Sequence, residues 1–444
     1  MKTAVETLLH PTDDTNIIGQ DISWLSTLRQ QALDDFSVSG LPGIRDEQWR
    51  YTNLRTLKSN VYTLAIANKD QTFNKNQTLP SEMAKALEQS DNERLVFING
   101  SIADKYTNID SLDRAVTFTS LSSVLQNSPD LLETHFGSSL PKEKHGFTSL
   151  NTAYCQDGYV LSIPKNCVLE NTLEVLFINT SNDKPQATHS RNFIVAGRHS
   201  QCQIVERHIG SDGSVYLNNT ITEIIANENS HVDHYKVQQE SNDAFHIGGV
   251  FVEQFANSNV KNHNLSLKSL VTRNDIHATL NAAGAHIEMN GLVMGAGRQH
   301  IDNHTQVNHV APNCTSDEYY KTILNDKARS VFRGRIIVAE DAQLTNADQQ
   351  NNNLLLSNHA EADSLPQLEI YADDVKCSHG ATVGQLDSKS LFYLRSRGIN
   401  LESATALLTF AFANEVIERI NVPAVRDELT ELLAGQLLND STSY

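Results

Sequence analysis

The chain is poor in cysteine, in basic residues and in long apolar runs, and each shortage excludes something. Five cysteines in 444 residues, odd in number and widely spread, do not make the framework of a disulfide-stapled secreted domain. Lysine and arginine total 35 against 53 aspartates and glutamates, a formal net charge of −18. Phosphate backbones and anionic membranes both call for basic patches, which excludes nucleic acid and an acidic lipid surface as main partners. No apolar run approaches the ~18–20 residues that cross a bilayer. The opening Met1-Lys2-Thr3-Ala4-Val5-Glu6 lacks a basic stretch followed by a sustained apolar one, so no secretory signal is read there. The expectation is a reduced, cytoplasmic chain. Signature motifs are missing as well. There is no Gly-x-Ser-x-Gly nucleophile elbow. The run Gly291-Leu292-Val293-Met294-Gly295-Ala296-Gly297-Arg298 lacks the Gly-Lys-Ser/Thr ending of a phosphate loop and reads as a tightly packed turn.

What is present is a polar but globular composition, 39% hydrophobic, suited to extensive polar strand faces. Three regions follow from the patterns. Residues 1–147 read as helical and mixed. Trp24, Leu25, Leu28, Ala32, Leu33 and Phe36 fall at helical spacing, and Gly40-Leu41-Pro42-Gly43 stops the helix. Trp49 and Tyr51 follow among charges and read as local packing. Leu95 to Asn99 is a short strand closed by an Asn99-Gly100 turn. Residues 148–384 carry short apolar runs between polar turns. Runs starting near Phe193, Ile204 and Val215, and again near Leu265, Ile276 and Ile287, suggest a spacing of 11 residues. Evenly spaced short strands mean a sandwich, a barrel or a β-solenoid. The run from Asn346 to Asn353 favours the solenoid, where stacked coils can align amides. Residues 385–444 are helical again. Asp387 is placed to cap a helix that Gly398 ends. The next helix, about Glu402 to Ile420, is apolar around much of its girth and needs burial or a partner.

The chemistry concentrates between Leu368 and Gly398. Leu368, Ile370 and Ala372 alternate with Glu369 and Tyr371, the period of a half-buried strand. If the strand pattern continues, Cys377 and His379 share a face. A thiolate and an imidazole there can bind a soft or borderline metal. Two ligands do not complete a tetrahedral site, so the rest must come from elsewhere, for example another chain. The bland alternative is a buried cysteine beside a surface histidine. Asp373-Asp374 imitates paired carboxylates, but neighbours in a strand point to opposite faces and cannot flank one bond. The densest histidine region holds His286, His300, His304 and His309 with Cys314 nearby. It lacks helical His-Glu-x-x-His spacing, so hydrogen-bonded or solvated histidines on a polar β surface are expected. His231-Val232-Asp233-His234 is read the same way.

The run Tyr371 to Leu386, with His379-Gly380-Ala381-Thr382 followed by Val383-Gly384-Gln385-Leu386-Asp387, resembles the SufD branch of the SUF iron–sulfur cluster assembly family. The SufB branch carries a His-Glu-Ala-Thr run at this point. The N-terminal helix, the Gly-Leu-Pro break and Glu47-Gln48-Trp49-Arg50-Tyr51-Thr52 resemble the same branch. The resemblance implies a mainly β fold, a right-handed parallel β-helix core flanked by N-terminal and C-terminal α-helical regions. It implies a non-catalytic scaffold that pairs with SufB through the β-helix cores, with self-association of the isolated chain left open, and binds the SufC ATPase through C-terminal helices. Leu391, Phe392, Leu407, Leu408 and Phe412 are the candidate docking residues. No permanently bound cofactor is implied. A transient iron–sulfur cluster or iron would sit at the SufB interface, with His379 as candidate ligand and Cys377 as a second. The rival readings are a zinc enzyme built on the histidines between 286 and 309, a polysaccharide-acting β-helix enzyme, and a SufB-like cluster-building subunit.

Overall fold

From Gln186 onward the chain lays down strands of nine to eleven residues that swing between two sheets. The computed structural model describes residues 9–10, 17–65, 92–141, 145–180 and 184–439. The first sheet runs through Gln186–Ala196, Tyr216–Ala226, Phe245–Gln254, Val271–Leu280, His300–His309, Arg329–Val338 and Glu361–Ile370. The second runs through Leu173–Asn179, Gln201–Gly210, His231–Gln239, Asn259–Lys268, His286–Gly295, Thr315–Leu324, Asn346–Leu355 and Lys376–Gly384. Neighbours along each of these paths are parallel, and the result is a β-solenoid of about eight turns with helical regions towards both chain ends.

The 11-residue spacing is not the repeat. Register partners lie from 26 residues apart, at Phe245 and Val271, to 32 apart, at Arg329 and Glu361. Each coil therefore contains one strand of each sheet. Phe193 and Ile204 are interior points of two strands on different sheets, and Val215 lies just before a third. The apolar runs mark fragments of strands because much of the interior is polar.

One corner of each coil needs a left-handed residue. His199, Asn229, Asn257, Gly284, Asn313 and Leu344 hold that position with φ between +54° and +78°. The N–H groups of His199, Asn229, Asn257, Asn313 and Leu344 each donate to a carbonyl of the following coil, at 2.7 to 3.1 Å. Asparagine and glycine tolerate this conformation; leucine does not. Leu344 is also 55% exposed, so its side chain gains little there. Leu344→Asn is expected to stabilise the chain by about 1 kcal/mol, read as a raised thermal midpoint. A midpoint that falls would mean the leucine is held there by contacts worth more than the strain.

Within the coils, polar side chains bond across the core. Glu206 accepts from Tyr159 Oη at 2.7 Å and Thr222 Oγ1 at 2.8 Å, and lies 3.0 Å from His234 Nε2. Lys236 Nζ donates to Asn274 Oδ1 at 2.9 Å. Burial, opposed by Glu206 and Glu240, brings the Lys236 amine down to about 8. The lysine reaches across only because Gly248 faces it: a Cβ there would lie 2.4 Å from Nζ.

The N-terminal region covers the outer face of the first sheet. Helix α1 (Ser23–Ser39) buries Leu25, Ala32 and Phe36 and ends at Gly40, whose φ is +61°. Trp49 is 1% exposed, with the Arg273 guanidinium 4.5 Å above its ring. It is packing, as its composition suggested. Asn99 and Gly100 turn the strand Arg94–Ile98 back on Ser101–Ile102 with φ of +48° and +80°, as an Asn-Gly hairpin requires.

The C-terminal helices lie on the outer face of the second sheet. Helix α2 (Ser388–Ser396) is capped by Asp387, whose carboxylate accepts from the Lys389 and Ser390 N–H groups. Helices α3 (Leu401–Ile417) and α4 (Pro423–Asn439) follow. Tyr319 and Lys321 both bond Glu415. Arg419 reaches Asp317 at 2.7 Å and Asn290 at 3.1 Å. The Asn421 N–H donates to Tyr235 Oη, and Glu428 pairs with Arg207. These contacts fall on four strands of the second sheet.

Candidate functional site at the open end of the solenoid

Among the described residues, neither strand of the last coil has a second neighbour. Glu361–Ile370 pairs only with Arg329–Val338, and Lys376–Gly384 only with Asn346–Leu355. The strand carrying Leu368 ends at Ile370, a turn occupies 371–375, and Cys377 and His379 begin a new strand in the other sheet. They still share a face, in register with Ala347 and Gln349 of the coil beneath.

Cys377 is half-buried against Ile336, Val338, Ala347 and Leu368. Burial pushes its thiol up, and the backbone at Ala347 opposes the shift. His379 is exposed. It lines a cavity of about 670 Å³ with Glu47, Gln48, Arg333, Arg335, Pro366, Gln367, Leu368 and Glu369. The walls are charged and paired. Arg333 Nη2 donates to Glu47 Oε1 at 2.6 Å, and Arg335 grips both oxygens of Glu369 at 2.8 Å. The hydrogen bond from Arg335 holds the Glu369 carboxyl below its ordinary value. The Gln48 carbonyl accepts from Arg273 at 2.8 Å. Tyr371 and Val383, either side of His379 in the chain, are exposed. The thiol and the imidazole are two donors that a soft or borderline metal accepts, set on one face of an edge strand that no described residue pairs on its other side.

Sequence reasoning did not find this cavity wall. Glu47 and Arg333 are 286 residues apart, and no local pattern links them. Pro366 did carry a signal, since proline inside a strand marks a sheet edge.

The histidines between 286 and 309 do not converge. His286 bonds Thr315 Oγ1 at 2.6 Å and His300 bonds Thr52 Oγ1 at 2.8 Å. His304 lies between Asp302 and Arg273, while His309 points into the core and bonds Ser316 Oγ at 2.9 Å. They are hydrogen-bonded, but largely buried rather than on a wet surface. Cys314 donates to the Ala282 carbonyl. His231 is exposed and His234 is buried against Glu206. Among the described residues no group of three or more His, Cys, Asp or Glu is placed to hold a metal ion. Asp373 and Asp374 lie exposed in a turn rather than on a strand. Gly291 to Gly295 belong to a strand, and a Cβ at Gly291 would lie 2.1 Å from the Tyr320 ring, so close packing explains that glycine.

The docking candidates divide. Phe392 is 75% and Leu407 51% exposed. Leu391 and Leu408 are half-buried. Phe412 is already engaged, with Lys321 Nζ 4.2 Å from its ring centroid. Tyr393 and Leu401, not singled out from sequence, extend the exposed apolar surface. No helix among the described residues is long and apolar enough to cross a membrane.

Comparison with known proteins decides the family. The description "SUF system FeS cluster assembly, SufBD core domain" matches residues 177–412, and "SufBD protein N-terminal region" matches residues 7–175. This chain belongs to the SufBD family of iron–sulfur cluster assembly proteins. An iron–sulfur cluster assembly SufBD family protein of Synechocystis is 32% identical over 427 residues, covering 94% of this chain and 92% of the relative. The iron–sulfur cluster assembly protein SufD of Escherichia coli is 29% identical, covering 90% and 89%. SufD of Bacillus subtilis is 25% identical, covering 93% and 94%. The SufBD core thus spans the solenoid strands from Phe177 through the open end and into α3.

Proposed function

We propose that this SufBD family member is a non-catalytic scaffold subunit of a SufBCD-type complex. SufB joins it at the open end of the solenoid, and the SufC ATPase docks on the C-terminal helices. His379, with Cys377 behind it, supplies ligands to iron or a nascent cluster formed between the two solenoids. No cofactor stays bound to this chain. The observation that carries the reading is the position of both residues on an exposed, singly paired edge strand. Two ligands at an uncovered edge call for a second chain to complete a four-coordinate site. The exposed apolar surface of Phe392, Tyr393, Leu401 and Leu407 supports docking on the helices.

The test is a co-purification with the cognate SufB and SufC, tagging this chain alone and weighing the complex by native mass spectrometry. Wild type and His379→Ala are both expected to retain the two partners. Under anaerobic reconstitution only the wild type should assemble a cluster. Loss of both partners from the wild type would sink the scaffold reading, and cluster assembly by His379→Ala at the wild-type rate would remove His379 from the site.

A further inference from the structure

His379 stands at the end of a row that runs through the interior of the solenoid. Its register partner on the coil beneath is Gln349, and beneath that come Glu318 and Met289. Parallel neighbours in register point to the same side of their sheet, about 4.8 Å apart. Gln349, Glu318 and Met289 are all at most 1% exposed. The row therefore leads from the buried core to the candidate ligand. His379, Gln349 and Glu318 form its polar part, and the apolar Met289 closes it.

Gln349 crosses from the second sheet to the first. Its amide reaches Gly334, where a Cβ would stand 2.0 Å from Nε2 and 2.8 Å from Oε1. Only glycine leaves the amide that place. Nε2 donates to Glu318 Oε2 at 3.1 Å, and the same oxygen accepts from Thr305 Oγ1 at 2.6 Å. Glu318 thus fixes which way round the amide lies. An amide carries its donors and its acceptor on opposite sides of Cδ, so spending Nε2 on the coil below turns Oε1 away from Glu318. Oε1 is buried and has no hydrogen-bond partner among the described residues. A buried acceptor left unpaired is rare and costs about 1–3 kcal/mol. The next residue of the row on that side is His379, whose imidazole has a ring N–H to give. Nδ1 is the ring nitrogen nearer the strand, and hence nearer the rung beneath.

We propose that Gln349, held by Glu318 and seated on Gly334, is the positioning residue of His379: its Oε1 accepts the Nδ1–H of the imidazole and leaves Nε2 bare at the open end. The inference rests on the proposed role of His379 as a ligand to iron or a nascent cluster, and it supplies what that role needs. A metal-binding histidine usually gives its other ring N–H to a fixed acceptor, which sets the tautomer and the ring orientation. Gln349 itself touches no metal and no reacting atom. It acts only through His379, and Glu318 only through Gln349.

Nitrogen NMR of the full-length chain, labelled at histidine and recorded at about pH 8.5 where imidazoles are neutral, reads the tautomer, and His379→Ala identifies the signal. Wild type should show His379 as the Nδ1–H form. Gln349→Met keeps the length of the side chain and removes the acceptor. Gly334→Ala keeps the acceptor and pushes it out of place. Both should release His379 into a mixture of tautomers. With cognate SufB and SufC under anaerobic reconstitution from ferrous iron and sulfide, Gln349→Met should assemble clusters about 10-fold more slowly or worse. A mixture of tautomers in the wild type overturns the proposal without any variant, and would mean that Oε1 is spent elsewhere, Asn351 Nδ2 being another unpaired donor on that strand. Survival of the Nδ1–H form in both variants overturns it too, whatever the assembly rates. So does wild-type assembly by Gln349→Met where His379→Ala assembles nothing. If the tautomer shifts as expected while His379→Ala assembles clusters at the wild-type rate, the hold of Gln349 on His379 stands and the ligand reading is what falls.

Discussion

Arg273→Met is expected to cost about 3 to 5 kcal/mol of folding stability, the range for breaking a buried ion pair from one side. Arg273 is fully buried. Its Nε and Nη2 donate to Asp275 Oδ1 at 3.0 and 2.7 Å, and its Nη1 donates to Asp302 Oδ2 and the Gln48 carbonyl, each at 2.8 Å. Nη2 also lies 2.8 Å from His304 Nδ1, and Trp49 covers the guanidinium. Burial alone would discourage charge on Asp275 and Asp302. Arg273 overcomes it at both, helped chiefly by His145 at Asp275 and by His304 at Asp302, and both carboxyls are held below the ordinary range. Methionine keeps the stem and leaves two carboxylates without their cation. Lysine would not substitute well, because one ammonium cannot reproduce a planar fork spanning two acids and a carbonyl. Denaturant midpoints of wild type, Arg273→Met and Arg273→Lys would check the order, with methionine the worst. A methionine variant within 1 kcal/mol of wild type, roughly the effect of an exposed ion pair, would mean water already enters this cluster. Because Arg273 holds the Gln48 carbonyl, the same variant should loosen the cavity wall facing His379.

Acidification is the second large effect. Burial brings His189 and His263 down to about 3, and brings His208 to about 4 against the opposing pull of Glu206. All three side chains are at most 1% exposed. Their folded pKa values lie below the unfolded value near 6.5, so the unfolded chain takes up protons first. The stability they contribute is present above pH 6.5 and is lost as the pH falls towards 4. Each imidazole costs about 3 kcal/mol by pH 4. Burial likewise depresses His246, His277 and His309, which adds to the loss. Three buried carboxyls oppose it: burial raises Glu318 to about 7 and Asp157 to about 6 and pushes Glu240 up as well, so the folded state gains as these protonate. The imidazoles outnumber them. Thermal midpoints should hold above pH 6.5 and fall steeply between 6 and 4.5. A flat or rising profile over that range would show that the buried histidines gain protons without unfolding.

Several features were legible from the residues. Asp387 and Gly398 bracket a helix because a capping carboxylate and a left-handed glycine leave local signatures. Cys377 and His379 share a face because strand alternation needs only that both lie in one strand. The repeat length was not legible. Glu206, His234, Lys236 and Asn262 occupy interior positions where an apolar residue would have marked the strand. Their partners lie a coil away, for example Asn262 and His234 at 2.8 Å across 28 residues. Buried histidines read as surface ones for the same reason: nothing near His304 or His309 in sequence announces what will cover it. The wall of the His379 cavity, brought in by Glu47 and Gln48 from the far end of the chain, shows this most clearly.

The C-terminal helices also fix a number. From Thr315–Leu324 back to Gln201–Gly210 the second sheet steps through four rungs, about 19 Å at ~4.8 Å each. Glu415 in α3 touches the first of those strands and Glu428 in α4 the last, so the two helices and the break between them bridge the whole stretch. The helix pair thus works as a gauge of that stretch of sheet. Gaining or losing one coil between residues 201 and 324 would put every contact from Glu415 to Glu428 out of step. Coils beyond Leu324 lie outside the measured stretch. Across relatives, the count of coils should be constant under the helices and free to vary only towards the open end.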